Sequence, residues 1–119
     1  MSGSAIDLAA KHCEPCRGGV PPLQGEELSK FSKELPDWRV VDGHHIEKTF
    51  LFPDFKAGLG FVNRVGALSE EQAHHPDVCL RWGSVQVITY THKIKGLSQN
   101  DFILAAKIDQ LYCGVPQAS

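Results

Sequence analysis

Three of the six histidines in this 119-residue chain fall where they could share one pocket with carboxylates. Glu70-Glu71-Gln72-Ala73-His74-His75-Pro76 brings acidic groups and two imidazoles close together along the chain, and Trp82, His92 and Asp101 follow. Imidazole titrates near neutral pH, so rings beside a carboxylate can both give and take protons under cellular conditions. The chemistry this favours is proton transfer. Glu70 and His74 are four apart and share a helix face if the helix persists that far, whereas Pro76 drives His75 out of the α region. A second pair, His44-His45, lies beside Asp42-Gly43 and is expected to be solvated loop. Pairing alone is therefore not the signal; the spacing around His74 is. By residue type, three histidines and a carboxylate could also ligate zinc.

These groups need a scaffold, and the apolar periodicity supplies one. Glu26 and Glu27 favour the dipole in the first turn of a short helix with Leu28, Phe31 and Leu35 on one face, which Pro36 ends. Trp38 to Val41 and an alternating run with Ile46, Lys48, Phe50 and Phe52 on one side flank Asp42-Gly43, a turn pair suited to positive φ. A long helix opens at Asp54, a good N-cap, and runs to about Glu71 with Phe55, Leu59, Val62, Val65 and Leu68 at helical intervals. Gly58, Gly60 and Gly66 inside it suggest close backbone approach, a subunit contact included. Val78 to Trp82 and Val85 to His92 alternate around Gly83-Ser84, which fits a type II′ hairpin. The last helix begins near Ser98, where Ser98-x-x-Asp101 resembles a capping box. Its stripe is Leu104, Ala105, Ile108, Leu111 and Tyr112, and Gly114 and Pro116 stop it.

The order is α-β-β-α-β-β-α, and a single four-stranded antiparallel sheet with helices on one face is the simplest way to bury both kinds of stripe. The fold class is α+β. Residue His75 then enters the third strand while His92 leaves the fourth, its antiparallel partner, so both lie at one edge of the sheet near Asp101.

Composition narrows the function classes. One domain is expected at this length. A net charge of −2 and no Lys/Arg block argue against direct nucleic-acid binding. No apolar run approaches the roughly 20 residues that span a bilayer, and the N-terminus lacks a basic-then-apolar signal pattern. A soluble cytoplasmic protein is expected.

Residues 1–22 read as an arm, 23–114 as the domain and 115–119 as a tail. Cys13-Glu14-Pro15-Cys16 is a lone Cys-x-x-Cys, with Cys79 and Cys113 far away. A structural zinc site usually takes two such pairs, and a thioredoxin-type site would open a helix where Arg17-Gly18-Gly19-Val20-Pro21-Pro22 stands. Reduced thiols on a docking segment are the expectation, with the arm dispensable for the site.

The chain resembles pterin-4a-carbinolamine dehydratase. The residues that carry the likeness are Glu70, His74, His75, Pro76, Trp82, His92 and Asp101, in kind and spacing, and looser similarity runs from about Leu23 to Tyr112. The resemblance implies dehydration of 4a-hydroxytetrahydropterin to quinonoid dihydropterin, in the recycling of the pterin used by aromatic amino acid hydroxylases. It implies His74, His75 and His92 as catalytic residues, Glu70, Thr91 and Asp101 as substrate-binding residues, no metal or organic cofactor, and a homodimer or homotetramer. Some animal relatives also serve as dimerisation cofactors for a homeodomain transcription factor, so a non-catalytic interaction module is the alternative. Retention of all three histidines favours the enzyme.

Overall fold

A computed structural model describes residues 8–14 and 21–113. The elements are α1 (Gly25–Glu34), β1 (Arg39–Val41), β2 (His45–Leu51), α2 (Phe55–Gln72), β3 (Asp77–Arg81), β4 (Ser84–Thr89) and α3 (Gln99–Cys113), with single 3-10 turns at Leu8–Ala10 and His92–Ile94. The four strands form one antiparallel sheet in the order β1-β2-β4-β3. This is the α+β architecture expected from the alternation of periods.

Local chemistry explains most of the boundaries. Asp42 and Gly43 both adopt positive φ, 54° and 64°, so the β1–β2 turn has the twist that matches the strands it joins. Asp54 caps α2 by accepting from the Ala57 amide at 2.9 Å. At the other end Ala73 takes a left-handed conformation, φ 54° and ψ 37°, and the Ala73 and His74 amides bond the Glu70 and Ser69 carbonyls at 3.3 and 3.1 Å. A β-carbon in that conformation costs roughly 1–2 kcal/mol. The strain sits at the corner that delivers His74.

The core lies between the helices and one face of the sheet. Ile46, Phe50, Val85 and Val87 from the strands meet Phe61 and Val65 of α2 and Phe102, Leu104 and Ile108 of α3, all essentially inaccessible. Lys48 interrupts the apolar alternation of β2 without leaving a charge unpaired. Its ammonium reaches Asp109 at 2.8 Å, and the Trp38 indole N–H donates to the same carboxylate at 3.1 Å.

Four expectations need correction. The β3–β4 turn is Trp82-Gly83, one residue earlier than a Gly83-Ser84 turn, because Ser84 pairs with Arg81; Gly83 has no positive φ, so the turn is not type II′. Phe52 N–H binds the Gly83 carbonyl at 2.9 Å and holds this turn against the end of β2. In α2 the buried line is Gly58, Phe61, Val65, Ser69 and Gln72, while Phe55 and Leu59 are each 42% exposed. The expected line holds at Val65, which is fully buried, and at Val62 and Leu68, partly buried against the core; it fails at Phe55 and Leu59, whose inward place Phe61 takes, because periodicity alone does not fix the centre of the buried face. Only Gly58 shows the close approach, since a β-carbon there would lie 2.9 Å from Leu80; Gly60 and Gly66 face open space. Lastly, α3 is buried on nearly every side from Asn100 to Ala106, because the arm covers what a one-sided stripe would leave to solvent.

The arm is packed, not free. Leu8 is 3% exposed and belongs to the core, and Lys107 donates to the Ala9 carbonyl at 2.8 Å. Cys16, the expected helix stop at Gly114 and Pro116, and the tail 115–119 lie outside the described residues.

Candidate active site

The left-handed turn at Ala73 and the start of α3 converge on one buried carboxylate. Asp101 is 0% exposed and accepts four hydrogen bonds. His74 Nε2 and Thr89 Oγ1 each lie 2.7 Å from Oδ1, and Thr91 Oγ1 and the Ser98 amide lie 2.8 and 2.9 Å from Oδ2. Four donors match the four lone-pair sites of an ionised carboxylate, which has no proton of its own to give. The bond from the Ser98 amide is the return half of a capping box, so helix capping and orientation of His74 use the same group.

This arrangement fixes His74. Its Nε2–H points at Asp101, so Nδ1 is the atom left to exchange a proton, in the manner of a histidine oriented by a carboxylate. The ring is 9% exposed, close to solvent yet held by a fully buried partner. The register explains the convergence. Asp77 pairs with Ile88, so the chain entering β3 runs beside the chain leaving β4, and Asp101 binds both through His74 and Thr91.

The other expected residues are placed differently. His75 is exposed and meets Glu70 at 2.6 Å, Nε2 to Oε2, in a solvated pair whose hold is weak. His92 is exposed on the 3-10 turn after β4, its ring 4.3 Å from that of Tyr90. Among the described residues no hydrogen bond or ring contact joins His92 to His74 or His75. Thr91 and Asp101 are 2% and 0% exposed, with their polar atoms engaged by each other, His74, Thr89 and Ser98, so any contact they make with a ligand runs through His74. Trp82 is 71% exposed at the β3–β4 turn, the opposite end of those strands from His74.

His44 and His45 are not merely solvated loop. They are half-buried, His44 Nδ1 lies 3.0 Å from His45 Nδ1, and the His44 ring is 4.4 Å from Tyr90. His45 begins β2, its ring edge-on to that of His44 at 5.3 Å. Thr89 was the residue most open to detection from sequence. It occupies the buried register of β4 after Val85 and Val87, where a hydroxyl needs a partner.

Comparison with known proteins decides the family. The family model described as pterin 4 alpha carbinolamine dehydratase matches residues 21–111. The chain belongs to the pterin 4 alpha carbinolamine dehydratase family. Among its relatives, one from Rubrobacter xylanophilus, named a pterin-4-alpha-carbinolamine dehydratase, is 55% identical over 105 residues, 88% of this chain and 98% of that one. A relative of the same name from Alkaliphilus metalliredigens is 45% identical, covering 87% of this chain and 95% of that one. A crystal structure titled transcriptional coactivator/pterin dehydratase, from Brucella melitensis, superposes with a TM-score of 0.72 at 28% identity, covering 76% of this chain and 98% of that one.

Within the dehydratase family domain, the His74–Asp101 pair is the feature whose geometry is most constrained. Thr89 at the end of β4, Thr91 just beyond it and the Ser98 amide before α3 hold Asp101, and Ser98 Oγ in turn meets Thr91, so the carboxylate that binds His74 is fixed from several sides. Such agreement locks the His74 ring in one orientation.

Proposed function

We propose that this protein dehydrates 4a-hydroxytetrahydropterin to the quinonoid dihydropterin by histidine acid/base catalysis. The observation that carries the reading is the buried His74–Asp101 pair, set in a domain of the dehydratase family. In the reaction the C4a hydroxyl takes a proton and leaves as water, and the N5 proton departs to a base as the C4a–N5 double bond forms. One protonated and one neutral group are therefore required, and each ends in the other's starting state until protons are re-exchanged with solvent.

His74 and His92 are assigned as that pair. His74 exchanges through Nδ1 while Asp101 balances the charge of its imidazolium. His92, exposed beside Tyr90, is free to meet the opposite side of the ring system. His75, held by Glu70, contributes to binding the pterin. Thr91 and Asp101 act through His74. The chain's own groups supply both proton transfers, so no cofactor enters the scheme.

Recycling of the pterin for aromatic amino acid hydroxylases, in the cytoplasm, is the setting proposed. Among the described residues no helix is long and apolar enough to cross a membrane. A homo-oligomer is also proposed, with the outward line of α2 at Phe55 and Leu59 as the contact. Open space beside Gly60 and Gly66 would let a second backbone come close. Stopped-flow measurement of 4a-hydroxytetrahydropterin breakdown tests the enzymatic reading, with acceleration expected without added cofactor.

A further inference from the structure

The two chain segments that carry His74 and Asp101 are tied together a second time, by the N-terminal arm. Gln72, two residues before His74, is 6% exposed, and its Oε1 accepts from the Cys13 amide at 2.9 Å with His12 Nδ1 at 2.8 Å. Asn100, immediately before Asp101, is 8% exposed. Its side chain closes a two-bond ring with the backbone of Glu14, accepting from Glu14 N at 2.9 Å and donating to Glu14 O at 2.6 Å. The Cys13 thiol also donates to the Asn100 carbonyl at 3.6 Å. Farther along, Leu8 is embedded in the core and Lys107 holds the Ala9 carbonyl.

We infer that residues 8–14 are a strap that positions the His74–Asp101 pair, with Gln72 and Asn100 as the positioning residues through which it acts. The inference rests on the dehydratase reading only for its effect on turnover. Two facts favour this role over plain packing. Besides the Lys107 bond to Ala9, the arm's side-chain-mediated bonds go to Gln72, two residues before His74, and to Asn100, one before Asp101, on two different helices, so they fix the spacing of those helices beside the His74 to Asp101 bond. They also use backbone atoms of the arm at Cys13 and Glu14, which hold their geometry better than mobile side chains do. The Cys13 thiol lies near enough to Asp101 for the carboxylate to help keep it protonated, after the larger effect of burial.

The experiment uses the full chain with Gln72→Met and Asn100→Ala, singly and together, and reads the solvent exchange of the His74 Nε2 proton by NMR beside kcat and KM. The double variant should exchange that proton faster and lose about tenfold or more in kcat with KM nearly unchanged, since small misplacement of a reacting group is costly. Phe61→Leu, remote from the pair, controls for lost stability and should leave both readouts near wild type. Lys107→Met, which loosens the arm only at Ala9, should move exchange in the same direction and by less; it decides the matter if the double variant does not fold. Unchanged exchange in folded variants would overturn the strap. Should the wild type prove inactive on the pterin, the exchange result still stands or falls by itself.

Discussion

Replacing Asp101 by Asn probes the site with the least change of shape. An amide offers one acceptor oxygen and one donor nitrogen where the carboxylate had two acceptors. If the oxygen stays towards His74 and Thr89, the new NH2 faces Thr91 and the Ser98 amide. Thr91 can turn its hydroxyl towards Ser98 Oγ, 2.7 Å away, but the Ser98 N–H loses its acceptor. If the amide flips, Ser98 is satisfied and His74 must present a bare Nε2, which moves its proton to Nδ1, the atom needed for exchange. In the first case a part-buried donor is left unpaired, at up to about 1–3 kcal/mol. At this chain length that is roughly 4 °C per kcal/mol, or a Tm lower by about 4–12 °C. In both cases the charge that balances the His74 imidazolium is gone, so kcat should fall by about 10²-fold or more. KM should change little, because Asp101 is wholly buried and would act on a bound pterin only through His74. Thermal denaturation and single-turnover kinetics at several pH values read these quantities. Turnover within threefold of wild type, with chemistry limiting, would refute the reasoning.

Other outcomes follow from the same structure. His74→Ala and His92→Ala should each lower kcat by about 10²-fold or more, and the double variant should fall far less than the product, because groups acting as a unit are not additive. His75→Ala should chiefly raise KM, as seen in steady-state kinetics, since an exposed group contributes binding common to ground and transition states. Ala73→Gly should raise Tm, because relief of roughly 1–2 kcal/mol of left-handed strain exceeds the roughly 0.4–1 kcal/mol lost to a freer unfolded chain; a lower Tm would count against the strain. Burial pushes the Cys13 thiol up from 9.0 to about 11. The folded chain therefore keeps a proton that the unfolded chain releases, so this group's contribution to stability declines as pH rises from about 9 towards 11. Cys13 should also alkylate more slowly than the exposed Cys79 and Cys113, and equal rates at pH 9 would contradict its burial.

Much of this was legible in the sequence, for identifiable reasons. Asp42-Gly43, Asp54 and Ser98-x-x-Asp101 announce a turn and two helix starts because each residue type satisfies a specific backbone need. Two alternating runs joined by tight turns can form hairpins in only a few ways, so the order of elements and the one-sided sheet followed. The spacing of His74, His92 and Asp101 led to the family. What escaped the sequence depends on contacts across the fold. The expected line Phe55, Leu59, Val62, Val65, Leu68 and the buried line Gly58, Phe61, Val65, Ser69, Gln72 share Val65 and both repeat at helical intervals, so only packing against Leu80 and the sheet turns Phe61 inward and Phe55 and Leu59 outward. The packing of the arm was not legible because Gly and Pro follow it, whereas its anchors are Gln72 and Asn100, roughly sixty to ninety residues away. His92 was expected to share a pocket with His74; the 3-10 turn after Thr91 sets its ring against Tyr90, and no hydrogen bond or ring contact joins it to His74 among the described residues.

The measurement closest to the central claim is stopped-flow decay of 4a-hydroxytetrahydropterin at neutral pH with purified wild-type protein and with His74→Ala, each in the presence of a chelator. The account predicts a large acceleration by the wild type that survives chelation, and its near loss in the variant. No acceleration by micromolar wild-type protein, or equal acceleration by His74→Ala, would contradict it.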